Sequence, residues 1–409
     1  MTGTLDAFRA DLRAWIDKHV PEGLADTFDW RVRADLPGSV GRLQTQEELS
    51  RAQEHPLFKE WEQRCLEARL VCPAWPEEHG GRGWDAVQLT VLDEECYRAG
   101  VPRIDRIQGE SMVGPSIILH GTDEQKTRFL PPIISGEHRY CQGFSEPNAG
   151  SDLAAVATRG VISGGDIVIN GQKLWTSRFT TANMIFILCR TDPEVPKHKG
   201  LSYVLAEFSP DNGIDVRPVR SMTGTAEFGE VFLDGVRAPL ANVIGGLNNG
   251  WQVVQSTLKF ERVGGGRATT LLRLAREREF WALVDTARAA GRADDPVVRQ
   301  QLAWAYSQVE ILRFTWLRIL ADLEAGREPG PEAATWKLAW SEYHARLGDV
   351  AATLAGADSL IRPDGDDYPT TSWQDVLLTA PSGRIYAGTS EIQRNIIGER
   401  TLGLPREPR

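Results

Sequence analysis

The chain is poor in the residues that would staple it or anchor it. Its five cysteines, Cys65, Cys72, Cys96, Cys141 and Cys189, are scattered, odd in number and without metal-ligand spacing. That pattern excludes a disulfide framework and a zinc module, so no metal is expected and reduced thiols in a cytoplasmic protein are. Long hydrophobic runs are also absent: none approaches the roughly 18 apolar residues of a membrane span. Met1 to Val20 carries Asp6, Asp11 and Asp17 among its apolar positions, which reads as an amphipathic helix and not as a signal or transit peptide. Positive charge is in deficit, with 46 Lys plus Arg against 56 Asp plus Glu and a formal net charge of -10. A nucleic-acid partner requires clustered cations that release phosphate counterions, so that class is excluded. Internal repeats and low-complexity tracts are missing too, which removes solenoids.

What is present is enough apolar material for more than one core. The 409 residues, 41% hydrophobic and 25% charged, exceed what a single core usually organises. Helical spacing dominates residues 1–136, broken at Pro73-Ala-Trp-Pro76 and Gly80-Gly-Arg-Gly83, with a helix expected from Ala86 to Arg98. From about His138 the period shortens to two. Ile167-Val-Ile169, Asn170-Gly171 and Gln172-Lys-Leu-Trp175 predict a hairpin with a type I′ turn at Asn-Gly. Further strands are expected at Met184 to Cys189, Leu201 to Phe208, Ile214 to Val219 and Gly229 to Leu233. The expected organisation is multidomain: an N-terminal helical domain (1–136), a middle β-barrel domain (137–248) and a C-terminal four-helix bundle (249–409).

In the last third, Trp336, Trp340, Tyr343, Leu347, Val350 and Leu354 recur in steps of four and three, one continuous apolar stripe. Leu302, Tyr306, Val309, Leu312, Trp316 and Leu323 repeat the pattern one helix earlier. Tryptophans at this spacing are assigned to packing, not to a cofactor. Arg362 to Thr371, rich in Pro, Asp and Gly, is expected to be a loop.

Two distant stretches carry the chemistry. Phe144-Ser-Glu-Pro-Asn-Ala-Gly-Ser-Asp-Leu-Ala154 is continued by Asn170-Gly-Gln-Lys-Leu-Trp-Thr-Ser177, and Gly383-Arg-Ile-Tyr-Ala-Gly-Thr-Ser-Glu-Ile-Gln393 lies near the C-terminus. Together, and in this order, they resemble the acyl-CoA dehydrogenase family, and the resemblance covers nearly the whole chain. It implies helices, then a β domain, then a helical bundle, with FAD as the cofactor. A flavin needs a flat apolar wall, donors aimed at its ring and contacts for its pyrophosphate. By the family's pattern Trp175 lies against the isoalloxazine, Ser177 hydrogen-bonds near N5, and Gln142 to Ser145 meet the pyrimidine edge. Gly150 and Ser151 lie near cofactor and thioester. Gly388 matches a substrate contact, and Thr389 and Glu391 match cofactor contacts. The competing reading is that Trp175 plugs the β domain and that Gly150-Ser151 caps a turn.

The medium-chain members of the family carry a catalytic carboxylate in a Tyr-Glu-Gly segment, where this chain reads Tyr386-Ala387-Gly388. Removing the α proton of a thioester needs a carboxylate, desolvated enough that its pKa approaches working pH. In the isovaleryl and long-chain branches the glutamate belongs instead to a Glu-Arg pair on the first C-terminal helix. Glu261-Arg262 stands at that pair, in Leu258-Lys-Phe-Glu-Arg-Val-Gly-Gly-Gly266. The resemblance therefore implies Glu261 as the base and Arg262 as a substrate contact. A solvated helical glutamate is the alternative. Glycines cost about 1 kcal/mol each inside a helix, so Gly264-Gly-Gly266 suggests a close approach of something to the backbone.

Two family motifs are degenerate. Where homotetrameric members carry Arg-x-x-Phe-Gly and Gln-x-x-Gly-Gly-x-Gly, this chain has Leu274-Ala-Arg-Glu-Arg-Glu-Phe-Trp281 and Ala352-Thr-Leu-Ala-Gly-Ala-Asp358. Loss of a phosphate arginine removes a charge-assisted contact. That division of parts is similar to the heteromeric branch associated with steroid side-chain breakdown. It implies a dimer or tetramer, with a homologous partner chain that completes FAD binding. The expected activity is dehydrogenation of an acyl-CoA to a trans-2-enoyl-CoA, with the β hydride passing to flavin N5 and an electron-transferring flavoprotein as acceptor. A carrier-protein thioester, flavin monooxygenation, or a non-catalytic role in a heteromer are the alternatives.

Overall fold

The computed structural model describes residues 2–28, 30, 46–263, 267–327, 330, 332–360 and 372–406, with the side chains of 2–4, 46–49, 261–263, 267–269, 271, 332–333, 358 and 372 outside the description. The expected loop at 362–371 and the glycines 264–266 therefore lie outside the described residues. The N-terminal region is helical: α1 (Thr2–His19), α2 (Leu24–Thr27), α3 (Gln46–Gln53), α4 (Pro56–Glu67), α5 (Ala86–Ala99), α6 (Gly114–His120) and α7 (Asp123–Ser135). Helix α5 starts where Asp85 accepts from the backbone N–H groups of Val87 and Gln88, while the Gln88 amide oxygen accepts from the Asp85 N–H. This reciprocal cap satisfies donors that the first turn leaves open, and the helix stops at Gly100 in the left-handed region. The expected helix from Ala86 to Arg98 is thus found one residue longer. Inside, Glu95 of α5 accepts from Arg9 and Arg13 of α1, which seats one helix on the other.

The middle region is a single mixed sheet of β1 (Tyr140–Gly143), β2 (Arg159–Ser163), β3 (Asp166–Ser177), β4 (Met184–Arg190), β5 (Leu201–Glu207), β6 (Ile214–Val219), β7 (Phe228–Pro239) and β8 (Val243–Ile244). The order is β6-β7-β3-β2-β4-β5-β8, with β1 parallel beside β4. Alternate residues of several strands, among them Ile167, Ile169, Ile185, Ile187, Val204, Val231 and Leu233, converge on one core. The sheet therefore curls around its own interior in the manner of a barrel. The opposite face of β4, Phe186 and Leu188, packs into the helical core. Burial on both faces is why this strand reads as an unbroken apolar run.

The hairpin expected at Asn170-Gly171 is not formed. Both residues lie within β3, and the turn into that strand is at Gly164-Gly165 instead, where β2 and β3 pair antiparallel. Asn170 serves a bulge of the neighbouring strand: its amide oxygen accepts from the Gly235 N–H at 2.8 Å. Gly171 is required by proximity, because a β-carbon there would fall 2.4 Å from Thr158 Oγ1 and 2.8 Å from Thr158 Cα. The local turn signal loses to a tertiary contact that no local pattern reports.

Helices return with α8 (Gly250–Val263), α9 (Arg267–Ala289), α10 (Pro296–Glu324), α11 (Glu332–Ala355), α12 (Ser372–Gly383) and α13 (Ser390–Ile396). Trp336, Trp340, Tyr343, Leu347, Val350 and Leu354 all enter the bundle core, with Phe280 and Leu283 of α9 and Val309, Leu312 and Trp316 of α10. Tyr306, expected in the same stripe, is half exposed and only lays its ring 5.5 Å from Phe280. Helix α8 behaves differently: Val253 and Val254 join the core of the N-terminal helices and sheet. Buried hydroxyls fix that seat, with Ser116 of α6 and Thr257 of α8 2.7 Å apart and His120 Nε2 2.8 Å from Ser256.

Candidate active site

The two middle motifs meet across a pair of strands. The Leu174 N–H donates to the Ser145 carbonyl at 2.9 Å, so the segment after β1 runs beside the end of β3. A buried ion pair pins them. Lys173 Nζ donates to the carbonyls of Phe144 at 3.1 Å and Leu188 at 2.8 Å and to the Glu146 carboxylate at 2.8 Å. Glu146 also accepts from the N–H groups of Ala157 and Thr158 at 2.7 and 2.9 Å. All three ammonium protons are thereby used, and a fully satisfied network of this kind specifies one arrangement. Burial pushes the Glu146 carboxyl up, but Lys173 and the surrounding donors outweigh it and hold it below its ordinary value. Burial pulls the Lys173 ammonium down, and Glu146 opposes that pull. The sequence reading left this pair unassigned. A signal was there: Lys173 falls in phase with the inward-facing Ile167 and Ile169, a charge on the core side of a strand.

Next to that pin the strand bulges. Lys173 pairs with Val231 and Thr176 with Gly229, so Leu174 and Trp175 together face the single residue Glu230. Trp175 adopts φ 64, a left-handed conformation that costs a bulky residue on the order of 1–2 kcal/mol. The bulge turns the ring outward. Trp175 is 57% exposed and stands edge-on to Phe228 with centroids 5.8 Å apart. The reading in which this tryptophan plugs the β domain is overturned by that exposure. Thr176 turns inward beside it, with a buried Oγ1 that has no hydrogen-bond partner, and Ser177 is half-buried. Gln142 and Ser145 are half-buried as well, whereas Gly150 and Ser151 are exposed on the turn that follows, with open space around Gly150. A flat ring held out under strain, flanked by hydroxyls on a rigid strand, fits the wall and donors of a flavin site.

The C-terminal loop is held by the bundle. Lys337 Nζ of α11 donates to the carbonyls of Gly383 and Gly388 at 2.8 and 2.7 Å, and Glu342 pairs with Arg384 at 2.7 Å and Arg394 at 3.4 Å. Both were missed because each lies a helix away in sequence. Ala387 and Gly388 adopt left-handed φ values of 52 and 89. Thr389 Oγ1 caps α13 by accepting from the Ile392 N–H at 3.2 Å, and Glu391 is exposed 3.5 Å from Arg394. Glu261 and Arg262 belong to α8 by backbone, and their side chains lie outside the described residues.

In the stretch where a phosphate arginine is expected, Arg276 is buried at 1% exposure. Its Nη1 is committed to both oxygens of Glu279 at 2.9 and 2.7 Å. Among the described residues no helix is long and apolar enough to cross a membrane, and no group of His, Cys, Asp or Glu is arranged to hold a metal ion.

Family comparison covers the chain almost end to end. Models of the acyl-CoA dehydrogenase N-terminal, middle and C-terminal domains match residues 42–137, 141–236 and 248–402. The acyl-CoA dehydrogenase IpdE1 of Mycobacterium tuberculosis is 40% identical over 408 residues, 98% of each chain. The solved Tcur3481-Tcur3483 steroid ACAD superposes with a TM-score of 0.77 at 29% identity, covering 99% of this chain and 98% of that one. The ChsE4-ChsE5 complex of Mycobacterium tuberculosis gives a TM-score of 0.72 at 26% identity over 100% and 99% of the two chains. With three domain models in order and a full-length relative at this identity, the chain belongs to the acyl-CoA dehydrogenase family, FAD-dependent oxidoreductases of helical, sheet and helical build.

Proposed function

We propose that this enzyme dehydrogenates an acyl-CoA thioester between its α and β carbons to a trans-2-enoyl-CoA, with Glu261 as the base. The observation that carries the reading is the outward, strained Trp175, pinned beside Ser145 and Ser177 by the Lys173–Glu146 pair. Trp175 provides the wall for the isoalloxazine, Ser177 and the backbone from Gln142 to Ser145 provide donors at its edges, and Gly388, Thr389 and Glu391 contact substrate and cofactor from the bundle side. Gly150 and Ser151 lie toward the thioester and the pyrophosphate. Bound FAD supplies the acceptor for the β hydride. The base must come from outside the loop at 386–388, since Ala387 has no titrating group. We assign the role to Glu261, which follows Thr257 by one turn on α8, a helix clamped to α6 through Ser116 and Thr257. Arg262 follows as a substrate contact in this proposal.

A second, homologous chain completes the cofactor site in this proposal. Support comes from Arg276, which is turned into its own bundle and neutralised by Glu279, and from solved relatives described as two-chain assemblies. An electron-transferring flavoprotein is the acceptor we infer for the reduced cofactor. The test is anaerobic flavin bleaching by a panel of acyl-CoA thioesters, with and without the partner chain. Glu261→Gln is expected to lose at least about a thousandfold in the rate of bleaching with FAD still bound, the scale set by deleting an essential base. Bleaching at the wild-type rate would remove Glu261 from the mechanism.

A further inference from the structure

One short stretch of α11 touches the whole C-terminal loop. Lys337 Nζ donates to the Gly383 and Gly388 carbonyls at 2.8 and 2.7 Å, and the Trp340 ring lies against that of Tyr386 with centroids 6.1 Å apart. Glu342 pairs with Arg384 and Arg394 and accepts from Ser390 Oγ at 3.1 Å. Side chains from one stretch of helix thus reach both ends and the middle of the loop at 383–394.

The loop needs that support. Ala387 and Gly388 are successive residues with left-handed φ values of 52 and 89, a conformation disfavoured wherever a β-carbon is present. Gly388 is confined further, since a β-carbon there would fall 2.6 Å from Gln393 Nε2. Two side chains take up the carbonyls of the turn. Gln393 Nε2 donates to the Ala387 carbonyl at 3.0 Å and lies 3.5 Å from that of Gly388, which Lys337 engages more closely. Lys337 is half-buried, and among the described residues its hydrogen bonds go to carbonyls and to no carboxylate. Burial pulls its ammonium down, while Glu342 and Glu391 oppose that pull. A half-buried cation without a directly paired anion is kept at a cost in solvation, so its use lies in what it holds. A charged donor grips two carbonyls more firmly than a neutral one.

We propose that Lys337 is a positioning residue of the active site: through the Gly383 and Gly388 carbonyls it holds the left-handed turn at Ala387–Gly388 in the conformation that presents Gly388, Thr389 and Glu391 to substrate and cofactor. It acts through the loop and not on the reacting atoms. The inference rests on the dehydrogenase reading above and deepens it.

The experiment uses the full chain with FAD, together with its partner chain where one copurifies. Lys337→Met keeps the apolar stem and deletes the ammonium. Anaerobic flavin bleaching is followed at saturating FAD and saturating thioester, using the member of the acyl-CoA panel that bleaches the parent fastest, and rates are expressed per bound flavin. The rate is expected to fall at least about tenfold, since a misplacement near 1 Å can cost up to about a hundredfold. Hydrogen exchange across 383–390 should quicken. Adding Ala387→Gly, which removes the penalty on the left-handed turn, is expected to recover at least about threefold of the lost rate. A lysine with a structural role alone would lower the unfolding midpoint and leave the rate per bound flavin where it was. Lys337→Gln, which keeps one neutral donor, is expected to fall between Lys337→Met and the parent, and it carries the test if Lys337→Met does not fold. A parental rate per bound flavin overturns the inference, as does unchanged exchange or a loss that Ala387→Gly leaves unrecovered. If no thioester of the panel bleaches the parent, the dehydrogenase reading falls and Lys337 is judged by FAD affinity instead. Several-fold weaker binding in Lys337→Met, partly restored by Ala387→Gly, then supports its role, and unchanged affinity overturns it.

Discussion

Among the described residues the sheet buries the Lys173–Glu146 pair and the bundle buries Arg276–Glu279, and the two pairs are used in opposite ways. In the sheet, Lys173 and Glu146 lie 27 residues apart, and every donor and acceptor of the pair is taken up by strands and loops around Trp175. In the bundle, Arg276 and Glu279 sit on successive turns of one helix, and Arg276 Nε is left without a partner. The first pair joins two distant segments and so holds the strand end that carries Trp175. The second ties a cation to its own helix. A buried charge can therefore join distant segments or stay local, depending on whether its partner is far or near in sequence.

The contrast can be broken most forcefully at Lys173. Replacing it by Met leaves Glu146 without its cation and the Phe144 and Leu188 carbonyls without a donor. A loss of about 3–5 kcal/mol in denaturant unfolding is expected, and a loss under 1 kcal/mol would show that the pin is dispensable. Arg276→Met should cost somewhat less, about 3 kcal/mol, because only Glu279 loses a partner whereas Lys173 serves three acceptors. The double change Arg276→Met with Glu279→Leu should return to within about 1 kcal/mol of the parent or exceed it, since apolar packing often replaces a local buried pair without loss. A pair that linked distant segments would not recover in this way.

Acid sharpens the same comparison. Glu146 is held below its ordinary value of 4.5, so its contribution is complete above that pH and is lost as pH falls through the lowered value. Unfolding followed on acidification should show that slope in the parent and a flatter one in Glu146→Gln. The smallest effect on stability is expected at Trp175. Glycine there relieves the left-handed strain but loses the edge contact with Phe228. The two terms are of similar size, so stability should move by no more than about 1 kcal/mol. FAD affinity in the same variant should fall by roughly tenfold, as when a stacking aromatic is removed. Unchanged affinity would take Trp175 out of the cofactor site.

Periodicity marked much of this architecture in advance. Strand β6 was found at the predicted bounds of Ile214 to Val219, and the stripe from Trp336 to Leu354 entered the bundle core residue for residue. Spacing reports which face is apolar, and burial follows from that. Failures occurred where a distant residue intervened. Asn170-Gly171 reads as a turn, yet Thr158 and Gly235 hold it in a strand. Tyr306 keeps the helical phase of a core residue but is half exposed at the bundle edge. In the candidate site, the motifs picked out the segments around Ser145 and Trp175, which the Leu174 N–H to Ser145 carbonyl bond sets side by side, while Lys337 and Glu342 escaped because their partners between 383 and 394 lie about 42 to 52 positions away.

By itself, then, the order of residues determined the family, the succession of helices, sheet and helices, and the absence of a carboxylate at position 387. Those are properties of side-chain identity and local period. Only the tertiary structure decided that Trp175 faces outward and that Arg276 is neutralised within its own helix. Each depends on which groups from separate segments come within a few ångströms and on the water excluded between them, which no local pattern encodes.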